Sequence, residues 1–121
     1  MIHGNLGQID LDNCFIPPIV VDNPNLNSDL MKEEIFGPIL PILTYDKPQK
    51  VIEYIKNNPR PLAVYYYGNP DSVVCERLQE RTISGAFVVN DCVMQAGNGN
   101  LPFGGVGDSG YGTTHGRDGF M

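Results

Sequence analysis

The sequence predicts an α/β fold, a three-layer sandwich built on a mostly parallel open sheet. Continuous apolar, β-favouring segments recur at 39–45, 62–67 and 85–90, and amphipathic helical patterns separate them. Strands that are apolar throughout, rather than at alternate positions, are typical of parallel sheets that are covered on both faces. With a shorter strand at 15–21, the predicted order is strand, strand, helix, strand, helix, strand.

The first predicted helix follows the strand at 39–45. Asp46 is placed to cap its N-terminus, and Pro48 falls in its first turn, where the missing N–H costs nothing. One apolar stripe at helical spacing follows, formed by Val51, Ile52 and Ile55. The pattern therefore predicts a helix that packs one face on the sheet.

The second predicted helix starts at Asn69-Pro70, and its inward residues are Val73, Val74 and Leu78. The remaining segments are predicted as connections. Residues 1–13 are polar, residues 22–28 are rich in Asn, Asp and Pro, and residues 95–121 form a long glycine-rich loop or tail. Loops of that length are usually functional or extend onto another surface.

Composition limits the classes of protein. A chain of 121 residues is one domain or part of one, and 41% hydrophobic with 18% charged residues indicates a globular protein. The net charge of -6 excludes a nucleic-acid partner, which requires a basic face. No run approaches the ~20 apolar residues of a membrane segment, and the first residues lack the pattern of a signal peptide. A cytoplasmic protein is expected.

The cysteines and histidines predict neither a disulfide framework nor a metal site. Cys14, Cys75 and Cys92 are odd in number and widely spaced, as expected of reduced thiols in a reducing compartment. His3 and His115 are too isolated to suggest zinc, which usually takes four clustered ligands. His115 is predicted to make a structural contact within its loop. No residue of the chain is predicted to be catalytic.

The most informative segment is residues 33–38, Glu-Glu-Ile-Phe-Gly-Pro. The carboxylate of Glu34 can accept hydrogen bonds from a diol such as a ribose, and the ring of Phe36 can stack on a flat heterocycle. Gly37 and Pro38 fix the backbone that holds both. The alternatives are a solvated surface carboxylate, which is the interpretation we adopt for Glu33, and a core position for the phenylalanine.

Residues 105–110 match the dinucleotide fingerprint G-x-G-x-x-G. That fingerprint needs a strand before it, a helix after it and an acidic residue about 20 positions later. Leu101-Pro102-Phe103 is a poor strand, and Tyr111-Gly112-Thr113 is a poor helix start. We therefore predict a glycine loop that packs closely on another backbone rather than a phosphate cradle.

Two motifs carry a family resemblance. Residues 33–38 resemble the nicotinamide-ribose clamp of the NAD(P)-dependent aldehyde dehydrogenases, and residues 101–110 resemble their conserved C-terminal loop. Residues 112–120 are similar to the branch that includes the class 3, fatty and coniferyl aldehyde dehydrogenases. The resemblance covers essentially all of residues 1–121, as the C-terminal portion of a catalytic domain in proteins of several hundred residues.

The resemblance implies NAD or NADP as cofactor, an aldehyde as substrate and a homo-oligomer. Glu34 would accept hydrogen bonds from the nicotinamide ribose, Phe36 would pack against the nicotinamide end, and Phe103 would line the aldehyde tunnel or only anchor its loop. The family's nucleophilic cysteine lies in a Gly-Gln-x-Cys type motif that has no match here. Its general-base glutamate also falls upstream of the matching segment. The chain alone is therefore expected to be inactive.

Two other interpretations stay open. A truncated, non-catalytic product could self-associate through exposed sheet edges. A standalone nucleotide-binding module is the weakest interpretation, because it lacks a credible phosphate loop. The sequence does not identify the aldehyde, the oligomeric state or the origin of the truncation, and the choice between NAD and NADP is made in a Rossmann part that the chain lacks.

Overall fold

The computed structural model of the chain describes residues 1–117 and 119–120. These residues form two compact units, 1–45 and 46–121. The predicted loop at 95–121 includes Asp118 and Met121, and these two positions lie outside the described residues.

The first unit contains a three-stranded sheet of order β1-β2-β3. Its elements are β1 (Ile2–His3), β2 (Ile19–Asp22), a one-turn helix α1 (Asp29–Lys32) and β3 (Ile39–Ile42). β1 is antiparallel to β2, whereas β2 and β3 are parallel and pair over four residues. Ile19, at 7% exposure, is the hydrophobic side chain that this sheet buries most completely.

The N-terminal part of this unit differs from the prediction. Residues 1–13, predicted as a loop, contain β1 and a 3-10 helix at Leu6–Gln8. Two residues carry no strand pattern of their own, so only the pairing with β2 creates β1. The strand predicted at 15–21 begins later, at Ile19, since Pro17 and Pro18 cannot donate to a sheet.

Among the described residues, the second unit contains two parallel strands, three α-helices and a 3-10 helix at Gly107–Ser109. Its elements are α2 (Pro48–Asn57), β4 (Ala63–Tyr66), α3 (Val73–Arg81), β5 (Ala86–Val89) and α4 (Met94–Gly97). The connection from β4 to β5 runs through α3, and α2 contacts α3. The buried hydrophobic residues of the unit are Ile52, Cys75 and Leu78. Long helical and apolar segments were therefore predicted correctly, and the α/β class with mostly parallel strand pairing is confirmed.

The helix starts differ from the prediction. Asp46 does not cap α2, because Lys47 occupies the N-cap position and makes no side-chain cap hydrogen bond. The carboxylate of Asp46 instead pairs with the Lys50 ammonium at 2.7 Å, and this bond lowers the pKa of Asp46 below its ordinary value. α3 starts at Val73 after Ser72, whose hydroxyl accepts from the Cys75 N–H. Val73, predicted to point inward, is 56% exposed.

Much apolar surface stays uncovered. The strand predicted to be buried at 39–45 has Leu40 at 58% and Ile42 at 43% exposure. The prediction that this strand is buried is therefore wrong for these two side chains in this chain.

A close backbone contact joins the last loop to β5. A Cβ on Gly85 would overlap the carbonyl oxygen of Gly104 and would lie 2.7 Å from that of Leu62. The Gly85 and Ala86 N–H groups donate to Pro61 and Leu62 and so fix this stretch against the start of β4. Only glycine leaves room for the loop to lie there.

We expect Gly85→Ala to lower the free energy of unfolding by about 2 kcal/mol or more, because its Cβ would displace backbone on both sides. Gly99→Ala is the matched control, since a Cβ there meets nothing within 4 Å, and its effect should stay within about 0.5 kcal/mol. Urea denaturation of both variants measures the difference. Equal stabilities would contradict the packing.

Candidate functional site

The segment at residues 33–38 connects α1 to β3 and is tied down at both ends. The Glu33 N–H donates to the carbonyl of Asp29 at 3.0 Å, which ends the helix. The carbonyl of Pro38 accepts from the Ile19 N–H at 2.9 Å, which joins the segment to β2. The residues between these two anchors are thus presented by the sheet rather than by a free loop.

Glu34 and Phe36 both lie on the exposed part of this segment. The ring of Phe36 is 88% exposed, so the core role considered for it is wrong in this chain. Sequence reasoning assigned the turn to Gly37 and Pro38, but Phe36 itself takes the left-handed conformation, with φ +42°. That conformation costs about 1–2 kcal/mol for an L-residue. Phe36 is thus an exposed aromatic residue in a strained conformation, two residues after the exposed Glu34.

Phe103, in the second unit, sits on a short two-stranded bridge. Its N–H donates to the Thr114 carbonyl at 2.9 Å, and the Thr114 N–H donates back at 2.7 Å. The imidazole of His115 stacks on the Phe103 ring, with centroids 6.0 Å apart. The structural role predicted for His115 is therefore confirmed, and the bridge fixes the position of Phe103.

The glycine loop at 105–110 differs in local structure from the dinucleotide fingerprint. Residues Gly107–Ser109 make a 3-10 turn, and no helix follows it in the described residues. The Val106 N–H donates to the Ser109 hydroxyl at 2.8 Å, and the Gly110 N–H donates to the Gly107 carbonyl at 3.3 Å. A Cβ on Gly105 would overlap the Ser109 carbonyl. The predicted close backbone packing is confirmed.

Asn90 follows β5 and joins this strand to Gly68, two residues beyond the end of β4. The Asn90 N–H donates to the Tyr66 carbonyl at 2.8 Å, and the Asn90 amide both accepts from the Gly68 N–H at 2.8 Å and donates to the Gly68 carbonyl at 2.9 Å. Asn90 has φ +57°, which asparagine tolerates better than most residues. This side chain extends the parallel pair at its carboxyl end, where ligands usually bind.

The same arrangement occurs in the first unit, after β2. The Asn23 N–H donates to the Ile42 carbonyl at 2.7 Å, and the Asn23 side-chain oxygen accepts from the Thr44 N–H at 2.9 Å. Asn23 also lies in the left-handed region, at φ +46°. Sequence reasoning assigned no role to either asparagine. The available signal was an asparagine at the end of an apolar strand.

Polar side chains gather around the carboxyl ends of β4 and β5 in the second unit. The Tyr65 hydroxyl accepts from the Gln95 amide at 2.8 Å. A hydrogen bond with the Cys92 thiol is the main cause that raises the pKa of Tyr67 above its usual value of 10.0, with smaller contributions from burial and from neighbouring acidic groups. Cys92 is exposed and free. These contacts position the loop that follows Asn90.

The predicted site residues fall in different units. Glu34 and Phe36 share one segment of residues 1–45, and Phe103 belongs to residues 46–121. Across the described part of the chain, no three His, Cys, Asp or Glu side chains are arranged to hold a metal ion. Within the same residues, no helix has the length and apolar character to cross a membrane.

The profile of the aldehyde dehydrogenase family matches residues 1–121. Aldehyde dehydrogenase family 3 comG of Dictyostelium discoideum is 41% identical over 114 residues, which are 94% of this chain and 24% of that protein. A coniferyl aldehyde dehydrogenase of Pseudomonas sp. is 46% identical over 105 residues, 87% of this chain and 22% of the relative. The chain thus spans about a quarter of the length of these curated relatives.

Solved structures agree. The substrate-bound state of Staphylococcus aureus AldH has a TM-score of 0.84 at 41% identity and covers 92% of this chain, which corresponds to 24% of that protein. An indole-3-acetaldehyde dehydrogenase mutant from P. syringae, in complex with NAD+ and IAA, has a TM-score of 0.83 at 25% identity. The match covers 99% of this chain and 24% of the P. syringae protein.

The strain at Phe36 predicts an order of stabilities. Phe36→Gly and Phe36→Ala both remove the exposed ring, but only glycine adopts φ +42° without cost. We expect the glycine variant to be more stable than the alanine variant by about 1 kcal/mol in urea denaturation. An alanine variant of equal or greater stability would contradict the left-handed conformation.

Proposed function

This chain belongs to the aldehyde dehydrogenase family, and we propose that it supplies cofactor-positioning and substrate-pocket residues to an NAD(P)-dependent enzyme that oxidises an aldehyde to a carboxylic acid. The observation that carries the proposal is the segment at 33–38. It is anchored at both ends and presents the Phe36 ring at 88% exposure in a strained conformation, two residues after the exposed Glu34. The ALDH3 and coniferyl relatives support the same branch.

The exposed pair fits a nicotinamide nucleotide. Glu34 is exposed, and within the described residues its carboxylate has no hydrogen-bond partner, so both oxygens are free to accept from ribose hydroxyls. The free face of Phe36 suits the nicotinamide end. When bound, the cofactor supplies the hydride acceptor. The contribution of these two residues is to hold that acceptor in register, because small displacements of a reacting group cost rate.

Phe103 is proposed to line the aldehyde tunnel. The bridge to Thr114 and the stacked His115 ring fix its position, and Phe103 itself stays half-buried. A hydrophobic wall held by backbone hydrogen bonds suits a pocket for an apolar aldehyde. Its role as a loop anchor is compatible with this one.

We also propose that the intact enzyme is a homo-oligomer in the cytoplasm. The uncovered apolar surface, including Leu40 and Ile42 on β3, favours association with further polypeptide. The three cysteines are free in the described structure, as expected in a reducing compartment. The same uncovered strand supports the alternative function, a non-catalytic product that self-associates through its sheet edges.

Neighbouring glutamates provide a matched test of the cofactor role in the intact enzyme. Glu34→Gln should lower kcat/KM for the cofactor by about tenfold or more, because a hydrogen bond to a charged acceptor contributes about 1.5–3 kcal/mol. Glu33→Gln removes the same charge one residue away and should leave kcat/KM for the cofactor within about twofold of its original value. Steady-state kinetics with varied NAD+ and NADP+ measure both. Equal effects of the two substitutions would refute the assignment.

The isolated 121-residue chain should have no dehydrogenase activity, since the family's Gly-Gln-x-Cys motif has no match in it. The measurement is NADH absorbance at 340 nm with a panel of aldehydes, and a steady rise would overturn the proposal. Gel filtration over a concentration series tests the alternative function. Elution as a monomer at every concentration would count against self-association.

A further inference from the structure

Asn98 and Gly99 form an exposed turn directly after the one-turn helix α4. Of the asparagines in the chain, Asn98 is the one that a glycine follows. Both residues are exposed, and neither belongs to a helix or a strand. The turn is separate from the residues proposed to hold a cofactor and an aldehyde. Its chemistry is that of a side-chain amide next to an unhindered main-chain nitrogen.

The main-chain nitrogen of Gly99 is unobstructed. A Cβ on Gly99 would meet nothing within 4 Å, so the space around this residue is open. Within the described residues, the Gly99 N–H donates no hydrogen bond. Glycine also has the widest choice of backbone conformations. The nitrogen can therefore approach the side chain of Asn98 without a steric clash and without the loss of a hydrogen bond of its own.

The side-chain amide of Asn98 is polarised by a backbone donor. Its oxygen accepts a hydrogen bond from the Asn100 N–H at 3.1 Å. A donor on a carbonyl oxygen stabilises the negative charge that develops there when a nucleophile attacks the carbon. The same hydrogen bond keeps the amide over the turn that contains Gly99. The electrophile and the nucleophile thus belong to one short, exposed segment.

A small opening of the turn brings the two groups together. Attack on the Asn98 side chain requires rotation about ψ of Asn98, which is +96° in the turn. This rotation breaks the hydrogen bond from the Leu101 N–H to the Asn98 carbonyl, which is 3.0 Å long. Such a hydrogen bond contributes about 0.5–1.5 kcal/mol. Exposed loops open frequently at this cost, so the reacting geometry is accessible in the folded chain.

We propose that Asn98 is a site of spontaneous deamidation through a succinimide. The Gly99 nitrogen attacks Cγ of Asn98 and gives its proton to a solvent base. The bond from that nitrogen to Cγ forms, the bond from Cγ to Nδ2 breaks, and Nδ2 leaves as ammonia. Water then opens the succinimide. Attack of water at Cγ gives aspartate, and attack at the main-chain carbonyl carbon of residue 98 gives isoaspartate.

The modification changes the charge and the path of the chain ahead of Phe103. Both products add one negative charge to a chain whose net charge is -6. Isoaspartate also lengthens the main chain by one atom. The carbonyl oxygens of Gly99 and Asn100 lie 3.8 and 3.4 Å from the Cβ position of Gly116, so a longer turn would displace this contact. Gly116 follows His115, whose ring stacks on Phe103.

The test is peptide mapping of the 121-residue chain during incubation at neutral pH. Trypsin releases residues 82–117, which contain Asn98 and Asn100, and electron-transfer fragmentation locates the conversion and separates aspartate from isoaspartate. Asn100 is an internal control. It is exposed in the same turn, but Leu101 follows it and uses its N–H in the hydrogen bond to Asn98. We expect both products at Asn98, formed about tenfold faster than at Asn100, since about 1.4 kcal/mol of strain in ring closure changes a rate tenfold.

Gly99→Ala is the matched variant, because it keeps Asn98 and adds a Cβ in open space. We expect it to remain folded and to convert about tenfold more slowly. Asn98→Asp carries the acidic product from the start. Isoelectric focusing should place it with the aged unsubstituted chain and show little further shift during incubation.

Equal rates in Gly99→Ala and the unsubstituted chain would contradict the proposal. Conversion at Asn100 as fast as at Asn98, or aspartate without isoaspartate, would do the same. The chain unfolded in urea gives the rate of an unprotected turn. A folded chain that converts more than about tenfold more slowly than this reference would show that the fold keeps Gly99 away from Asn98, which also refutes the proposal. Circular dichroism checks that each variant is folded.

Discussion

The second unit depends on backbone that lies directly against backbone where the last loop crosses the start of β5. Gly104 occupies the space where a Cβ of Gly85 would be, and the loop closes on itself through Gly105 and the Ser109 carbonyl. A bridge to Thr114 continues from this contact and holds Phe103. Because no side chain separates the two segments, the position of the loop follows the position of the strand.

Both parallel strand pairs end in the same hydrogen-bond arrangement at their carboxyl ends. Asn23 and Asn90 each follow a strand, adopt a left-handed conformation and bond to the backbone two residues beyond the partner strand. The side chain of each asparagine thus adds one hydrogen-bonded position to the ladder between the two strands, and the ladder stops there. The edge where ligands of parallel sheets usually bind is therefore fixed in both units.

The uncovered apolar surface connects the structure to the length of the relatives. These 121 residues cover about a quarter of the proteins they match, and several of their large apolar side chains are exposed. Strand β3 and the exposed Phe36 ring belong to that surface.

The sequence by itself predicted the two longer helices, α2 and α3, and the apolar strands β3, β4 and β5. Those features are local, because the hydrophobic period and the composition of each segment indicate its type without reference to the rest of the chain. Tertiary structure decided what depends on distant partners. β1 exists only through its pairing with β2, and Asp46 pairs with Lys50 while Lys47 occupies the N-cap position of α2. Phe36, rather than Gly37, takes the left-handed turn because the segment is fixed at both ends, and no local pattern encodes that constraint.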